Sequence, residues 1–232
     1  VMTMAGISGS TWSIASWISS GLSLVEFKNF LLERLTITPV PTPLRVRNTV
    51  DNLLVKFAYE QPLSVIDLYG NWLGNAFLGN NAGIDFGVDA NLVYLASTVK
   101  KDLPSQAEQI DRVDRYPFPI YTAVRANTKE LFEFTPYEVG CRALKIYVPT
   151  WGFGRKFNNG VSIDNAPEQS LGFLMGIFGS ALSRSIGEYY DAIKPMMNSM
   201  IGHFSNIPGF SQLIQDVILD KIKISNDAHI RV

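Results

Sequence analysis

A serine flanked by glycines, Gly6-Ile7-Ser8-Gly9-Ser10, stands between an apolar run, Val1 to Ala5, and a segment whose large apolar residues recur at spacings near three and four. The run has the character of the end of a buried strand. Trp12, Ile14, Ala15, Trp17, Ile18, Leu22 and Leu24 mark the buried side of a helix. Strand, tight turn and helix in so few residues point to an α/β architecture. The turn also carries a chemical expectation, because it loosely fits the G-x-S-x-G pattern, in which glycines relieve clashes or unfavourable φ around an exposed serine. In such a turn the Ser8 hydroxyl stands proud of the sheet. The Gly9 N–H and the helix N-terminus aim positive potential at an oxyanion forming on an attacked carbonyl. Ser8 is thus the candidate nucleophile and Gly9 the candidate oxyanion donor, although a glycine-flanked serine standing alone is equally a plain turn.

Beyond the turn, the spacing predicts a helix over Leu24 to Leu35, which ends before the proline-rich link Pro39-Val40-Pro41-Thr42-Pro43. Further helices are expected over Arg45 to Gln61, stopped by Pro62, and over Val65 to Leu78 with Ser64 as its cap. Gly79 to Gly87 reads as a loose stretch and Ala90 to Leu103 as a helical return. Ile120 to Val124 and Leu131 to Phe134 are β-branched and aromatic around a turn at Asn127 to Lys129, so they are expected as strands. Trp151 to Ser170 reads as a long Gly/Asn-rich loop. Leu171 to Tyr190 is helical in spacing, with tight backbone packing at Gly172, Gly176 and Gly179.

Composition excludes several classes. With 232 residues, 47% of them hydrophobic and 18% charged, the chain can bury a core large enough for one domain and is not a disordered segment. A net charge of -1 offers no basic footprint for nucleic acid. The single cysteine, Cys141, cannot close an intrachain disulfide, and His203 and His229 lie in no metal-ligand spacing, so no metal is expected. No acidic loop of the D-x-[DN]-x-[DN]-G type is present, so calcium is not expected as a cofactor, and no other cofactor is implied. No run reaches about 18 uninterrupted apolar residues, so no transmembrane segment is expected.

Four ordered segments carry a resemblance. Gly6-Ile7-Ser8-Gly9-Ser10-Thr11-Trp12 is similar to the nucleophile motif of the cytosolic phospholipase A2 and fungal lysophospholipase (phospholipase B) catalytic domain family. Ile66 to Gly70 with Leu73-Gly74 resembles a helix of that family. Pro119 to Ala123 followed by Phe132-Glu133-Phe134-Thr135-Pro136-Tyr137-Glu138-Val139-Gly140 resembles its E-F-[ST]-P-Y-E-[IV]-G signature, and Phe173 to Ser183 its L-x-G-[IV]-[WF]-G-S-A segment.

The resemblance implies a three-layer, patatin-related α/β hydrolase-like domain with a central mixed sheet, and a helical cap contributed by roughly residues 39–115. It implies hydrolysis of fatty acyl esters of glycerophospholipids or lysophospholipids by a serine-aspartate dyad through an acyl-enzyme, with Ser8 as nucleophile. A non-catalytic lipid-binding domain that has lost the dyad, and a patatin-type general esterase, are the alternatives. The family's glycine-rich oxyanion loop and its D-[SAG]-G aspartate have no match here. Asp85-Phe86-Gly87 lies in the wrong place and reads as a loop. The chain is therefore expected to be an internal portion, 1–232, of one phospholipase catalytic domain. The expected partner is phospholipid at a membrane surface, with a cytoplasmic location and peripheral membrane contact, secretion staying open. No residue is singled out for substrate binding.

Three groups of residues have a structural reading beside a functional one. Glu133, Tyr137 and Glu138 are expected to satisfy backbone groups beneath the site rather than to catalyse. Trp12, Trp17 and Trp72 read as core. Trp151, Phe153 and Phe157 beside Arg155 and Lys156 read as a packed loop, with interfacial lipid contact as the alternative.

Overall fold

The computed structural model describes residues 3–36, 43–61, 63, 65–78, 116–125, 129–179 and 198. Strand β1 (Thr3–Ile7) runs parallel to β2 (Phe118–Val124), with Gly6 opposite Tyr121 and Ile7 opposite Thr122. Strands β3 (Leu131–Phe134), β4 (Glu138–Cys141) and β5 (Ile146–Pro149) continue as an antiparallel meander, giving a mixed sheet in the order β1-β2-β3-β4-β5. Helices α1 (Gly9–Ser20), α2 (Leu24–Thr36), α3 (Pro43–Ala58), α4 (Val65–Phe77) and α5 (Leu171–Gly179) pack with it.

The helix boundaries have local causes. Ser23 starts α2 with a capping box: its N–H and hydroxyl both donate to Glu26 Oε2, at 2.9 and 2.7 Å, and the Glu26 N–H returns to Ser23 Oγ at 3.4 Å. Pro43, expected in the link, is instead the first residue of α3, where its missing N–H would have had no helical acceptor. Ser64 and the expected helix over Ala90 to Leu103 lie outside the described residues.

Burial concentrates where α5 meets the sheet. Tyr121, Phe134 and Phe178 are fully buried, with Phe178 stacked on Tyr121 and edge-on to Phe134, both at 5.1 Å between ring centroids. On its other side α5 crosses α4 through glycines. A Cβ on Gly176 would lie 2.6 Å from the Ile66 carbonyl oxygen and 2.8 Å from Gly70 Cα, and one on Gly74 would lie 2.6 Å from Gly172 Cα. The two backbones therefore touch, and the expected tight backbone packing is observed at Gly172 and Gly176, whereas Gly179 packs on the Trp12 side chain. Helix α3 is strapped to α4 by an ion pair between Lys56 and the buried Asp67, and by Asn52 donating to Asn71 Oδ1 at 2.5 Å. Lys56 also lies 3.7 Å above the Phe173 ring, so the strap reaches α5.

Two expectations need correction. Gly6 is not part of the turn: β1 runs through Gly6 and Ile7, and α1 begins at Gly9, so the chain reverses at Ser8 alone. The stretch from Trp151 to Ser170 is not one loop. A 3-10 turn over Thr150–Gly152 leads to a two-stranded ribbon of β6 (Phe157–Asn158) and β7 (Val161–Ser162). Asn159 and Gly160, with φ of 48° and 79°, form its tight turn, as an Asn-Gly pair between strands favours.

Candidate active site

Ser8 has φ 54° and ψ -132°, outside the regions where a residue with a Cβ rests comfortably. Several bonds hold it there. The Ser10 hydroxyl donates to the Ile7 carbonyl at 2.7 Å and accepts from the Ile7 N–H at 2.8 Å, clamping the strand end to the helix start. The Thr11 N–H donates to the Ser8 carbonyl at 2.9 Å, and the Thr11 hydroxyl donates to the same oxygen. Across the sheet, the Thr122 hydroxyl donates to the Gly6 carbonyl at 2.8 Å. The conformation is thus over-determined by its surroundings, as a strained backbone requires in order to persist.

The two flanking glycines differ in purpose. At Gly6 a Cβ would meet Ile14 Cδ1 at 2.8 Å and the Thr11 nitrogen at 3.0 Å, so its bareness lets the helix fold back on the strand. At Gly9 a Cβ would meet only Trp12 Cε3, at an ordinary 3.9 Å. Packing among the described residues does not demand glycine there, contrary to the sequence expectation of a clash. The Gly9 N–H is among the first of α1, which find no acceptor inside the helix, and the first turn carries no acidic side chain to compete for it. Gly9→Ala is accordingly expected to change stability by less than about 1 kcal/mol. Its methyl group, standing in the open space beside Ser8, is expected to slow acylation of Ser8 at least tenfold. Thermal unfolding and the rate of fluorophosphonate labelling check the two halves, and a labelling rate equal to that of the parent would count against Gly9 as oxyanion donor.

The Ser8 hydroxyl faces the Gly179 carbonyl at 3.5 Å, across 171 positions of sequence. That is long for a hydroxyl donor, so the contact orients the group without holding it firmly. Among the described residues no carboxylate is a hydrogen-bond partner of Ser8 Oγ. Asp85, His203 and His229 lie outside the described residues.

The other expected residues are placed as follows. Glu133, Tyr137 and Glu138 are exposed, and Tyr137 stacks on Phe118. They therefore do not lie beneath Ser8, and in their own β3–β4 turn the backbone is served by Thr135, whose hydroxyl donates to the Glu138 carbonyl at 3.0 Å and accepts from the Glu138 and Tyr137 N–H groups. Trp12 and Trp72 pack against the core as expected, while Trp17 meets Tyr116 edge-on at 5.3 Å. Trp151 is 47% exposed and tilted against Phe157, with the Arg155 guanidinium 5.0 Å from its ring. Lys156 pairs with Glu60 at 2.8 Å, a contact that holds the Glu60 carboxyl below and the Lys156 ammonium above their usual ranges. Phe153 is packed inward, edge-on to Phe134. Because β5 runs antiparallel to β1 in direction, this ribbon follows from the sheet end opposite Ser8. Its aromatic residues therefore do not border the serine. Among the described residues no His/Cys/Asp/Glu cluster could hold a metal ion.

A serine forced into a strained conformation between a parallel strand and the helix covering it places the fold among α/β domains built around a serine elbow. The lysophospholipase catalytic domain family matches residues 2–228, and the chain belongs to that family. It is 26% identical over 230 residues to cytosolic phospholipase A2 gamma of Mus musculus, which covers 93% of this chain and 32% of the mouse protein. It is 29% identical over 204 residues to cytosolic phospholipase A2 zeta of Homo sapiens, covering 82% of this chain and 22% of the human protein. The solved structure of human GIVD cytosolic phospholipase A2 in complex with methyl gamma-linolenyl fluorophosphonate aligns with a TM-score of 0.61 at 23% identity, over 90% of this chain and 28% of that one. A further solved structure of human GIVD cytosolic phospholipase A2 aligns with a TM-score of 0.55 at 24% identity, over 78% and 23% of the two chains. The α/β architecture is thus shared with these phospholipases, of whose length this chain spans about a third or less.

Proposed function

We propose that the protein hydrolyses fatty acyl esters of glycerophospholipids or lysophospholipids with Ser8 as nucleophile. The observation that carries this reading is the strained backbone of Ser8, held at the end of β1 by Ser10 and Thr11 while its hydroxyl stays half-exposed. In the reaction Ser8 Oγ attacks the acyl carbonyl and gives up its proton to a carboxylate base. The tetrahedral oxyanion forms beside the Gly9 N–H, at the positive end of α1. Collapse expels the glycerol-side alcohol, which takes a proton, and leaves an acyl-enzyme that water then hydrolyses to the fatty acid. The base is the aspartate of a serine-aspartate dyad, and this chain forms one portion of the catalytic domain, a reading supported by its partial span of its relatives. The family supports a phospholipid substrate met at a membrane surface. A cytoplasmic location is supported by the names of both relatives, and no described helix is long and apolar enough to cross a membrane.

A second reading follows from one observation: no carboxylate bonds to Ser8 among the described residues. A domain of this fold without the dyad would bind lipid and not cleave it. Treating the full protein that carries this chain with a long-chain fluorophosphonate separates the two, since a ligand of that class is named in the structure of the human relative. The hydrolase reading expects one covalent adduct, located by peptide mass on Ser8. A folded protein that stays unmodified through prolonged exposure would replace it with the lipid-binding reading.

A further inference from the structure

We propose that Trp12 is a positioning residue for Ser8, an inference that rests on the hydrolase reading above. Trp12 lies one helical turn beyond the serine on α1 and bridges to the end of α5. Its indole N–H donates to the Met175 carbonyl at 2.8 Å. By helix geometry that carbonyl also receives the Gly179 N–H, so the indole bonds to the last turn of α5. The indole edge presses close on Gly179, where a Cβ would come within 2.3 Å of Trp12 Cζ2 and 3.0 Å of Nε1. On its outer side the ring is met edge-on by Tyr69 at 6.2 Å, and Tyr69 is itself stacked on Trp72. Trp12 is therefore held to α5 by a hydrogen bond and packed against α4 through Tyr69.

The residue it fixes matters because Gly179 supplies the carbonyl facing the Ser8 hydroxyl. A contact of 3.5 Å is too long to set its own geometry, so the position of that main chain relative to Ser8 is set elsewhere. Trp12 provides a hydrogen-bonded route between the two, running from Ser8 through one turn of α1 to the indole and on to the Met175 carbonyl in the last turn of α5. With the tie in place, the elbow and the end of α5 form one unit, and the serine keeps a fixed wall beside it. Without it the serine and that wall are less tightly registered, and even a small misplacement of a reacting group lowers the rate.

The test replaces Trp12 with 3-benzothienylalanine, which keeps the bicyclic shape and substitutes sulfur for the N–H, in the full protein carrying this chain. The second-order rate constant for fluorophosphonate labelling of Ser8 is measured per folded molecule, alongside the thermal midpoint. The expected result is a labelling rate about tenfold lower, with the adduct still confined to Ser8 and the midpoint little changed, a split that a purely structural tryptophan would not give. Should that variant fail to fold, Trp12→Phe, which also lacks the N–H, serves with the same readout. A parent that labels and a variant that labels equally fast overturn this inference alone. A parent that never labels overturns the hydrolase reading and this inference with it.

Discussion

Ser8→Gly is expected to abolish fluorophosphonate labelling and, in the same molecule, to raise the thermal midpoint. The two effects share one cause. Ser8 holds φ 54° and ψ -132° because the clamp from Ser10 and the bonds from Thr11 leave it no alternative. A residue with a Cβ in such a region costs about 1–3 kcal/mol, and glycine adopts it freely. Against this gain stands the extra entropy that glycine loses on folding, roughly 0.5–1 kcal/mol. The balance favours the variant by about 1 kcal/mol, which in a domain of this size raises the midpoint by roughly 2–4 °C. Ser8→Ala, which keeps the strain and removes the hydroxyl, should lose labelling without the gain in stability. Equal midpoints for the glycine variant and the parent would show that the backbone strain is not stored at Ser8.

The second large effect concerns stability alone. Gly176→Ala is expected to destabilise the fold by about 2–3 kcal/mol, although alanine is intrinsically the better helix former by up to about 1 kcal/mol. The added methyl would meet the Ile66 carbonyl oxygen at 2.6 Å and Gly70 Cα and N at 2.8 and 2.9 Å. All three are main chain and cannot turn aside as a side chain would. The helices must separate, and overpacking of this kind typically costs about 1–3 kcal/mol or more. A fall of roughly 5–10 °C in the midpoint corresponds to that loss. Gly9→Ala is the internal control, since its methyl meets no main chain among the described residues. A Gly176→Ala protein that melts with the parent would mean that the crossing has room the structure does not show.

Much of this was readable from residue order, for reasons that differ between elements. The strand, turn and helix around Ser8 were legible because local patterns dictate them, and α2 and α4 followed from apolar spacing and proline stops. The Ser23-x-x-Glu26 capping box and the Asn159-Gly160 turn were equally local signals, and the latter would have revealed the ribbon hidden in the supposed loop. Strands β4 and β5 were harder, being only short runs with little alternation. The approach of Gly179 to Ser8 was not legible at all. It depends on where α5 lands after the intervening chain has folded, and nothing in the immediate neighbourhood of either residue announces the other. The same holds for Thr135, whose bonds within the turn emerge only once β3 and β4 pair.

The glycine crossing between α4 and α5 has a mechanical meaning. Two helices that touch backbone to backbone, with Phe178 keyed into the sheet and Lys56 strapping α3 across both, cannot slide past each other without breaking several contacts at once. They act as a single slab. The main chain facing Ser8 belongs to that slab, so this side of the site behaves as a fixed jaw. On the hydrolase reading, any movement that admits substrate falls to parts of the protein not bolted to it.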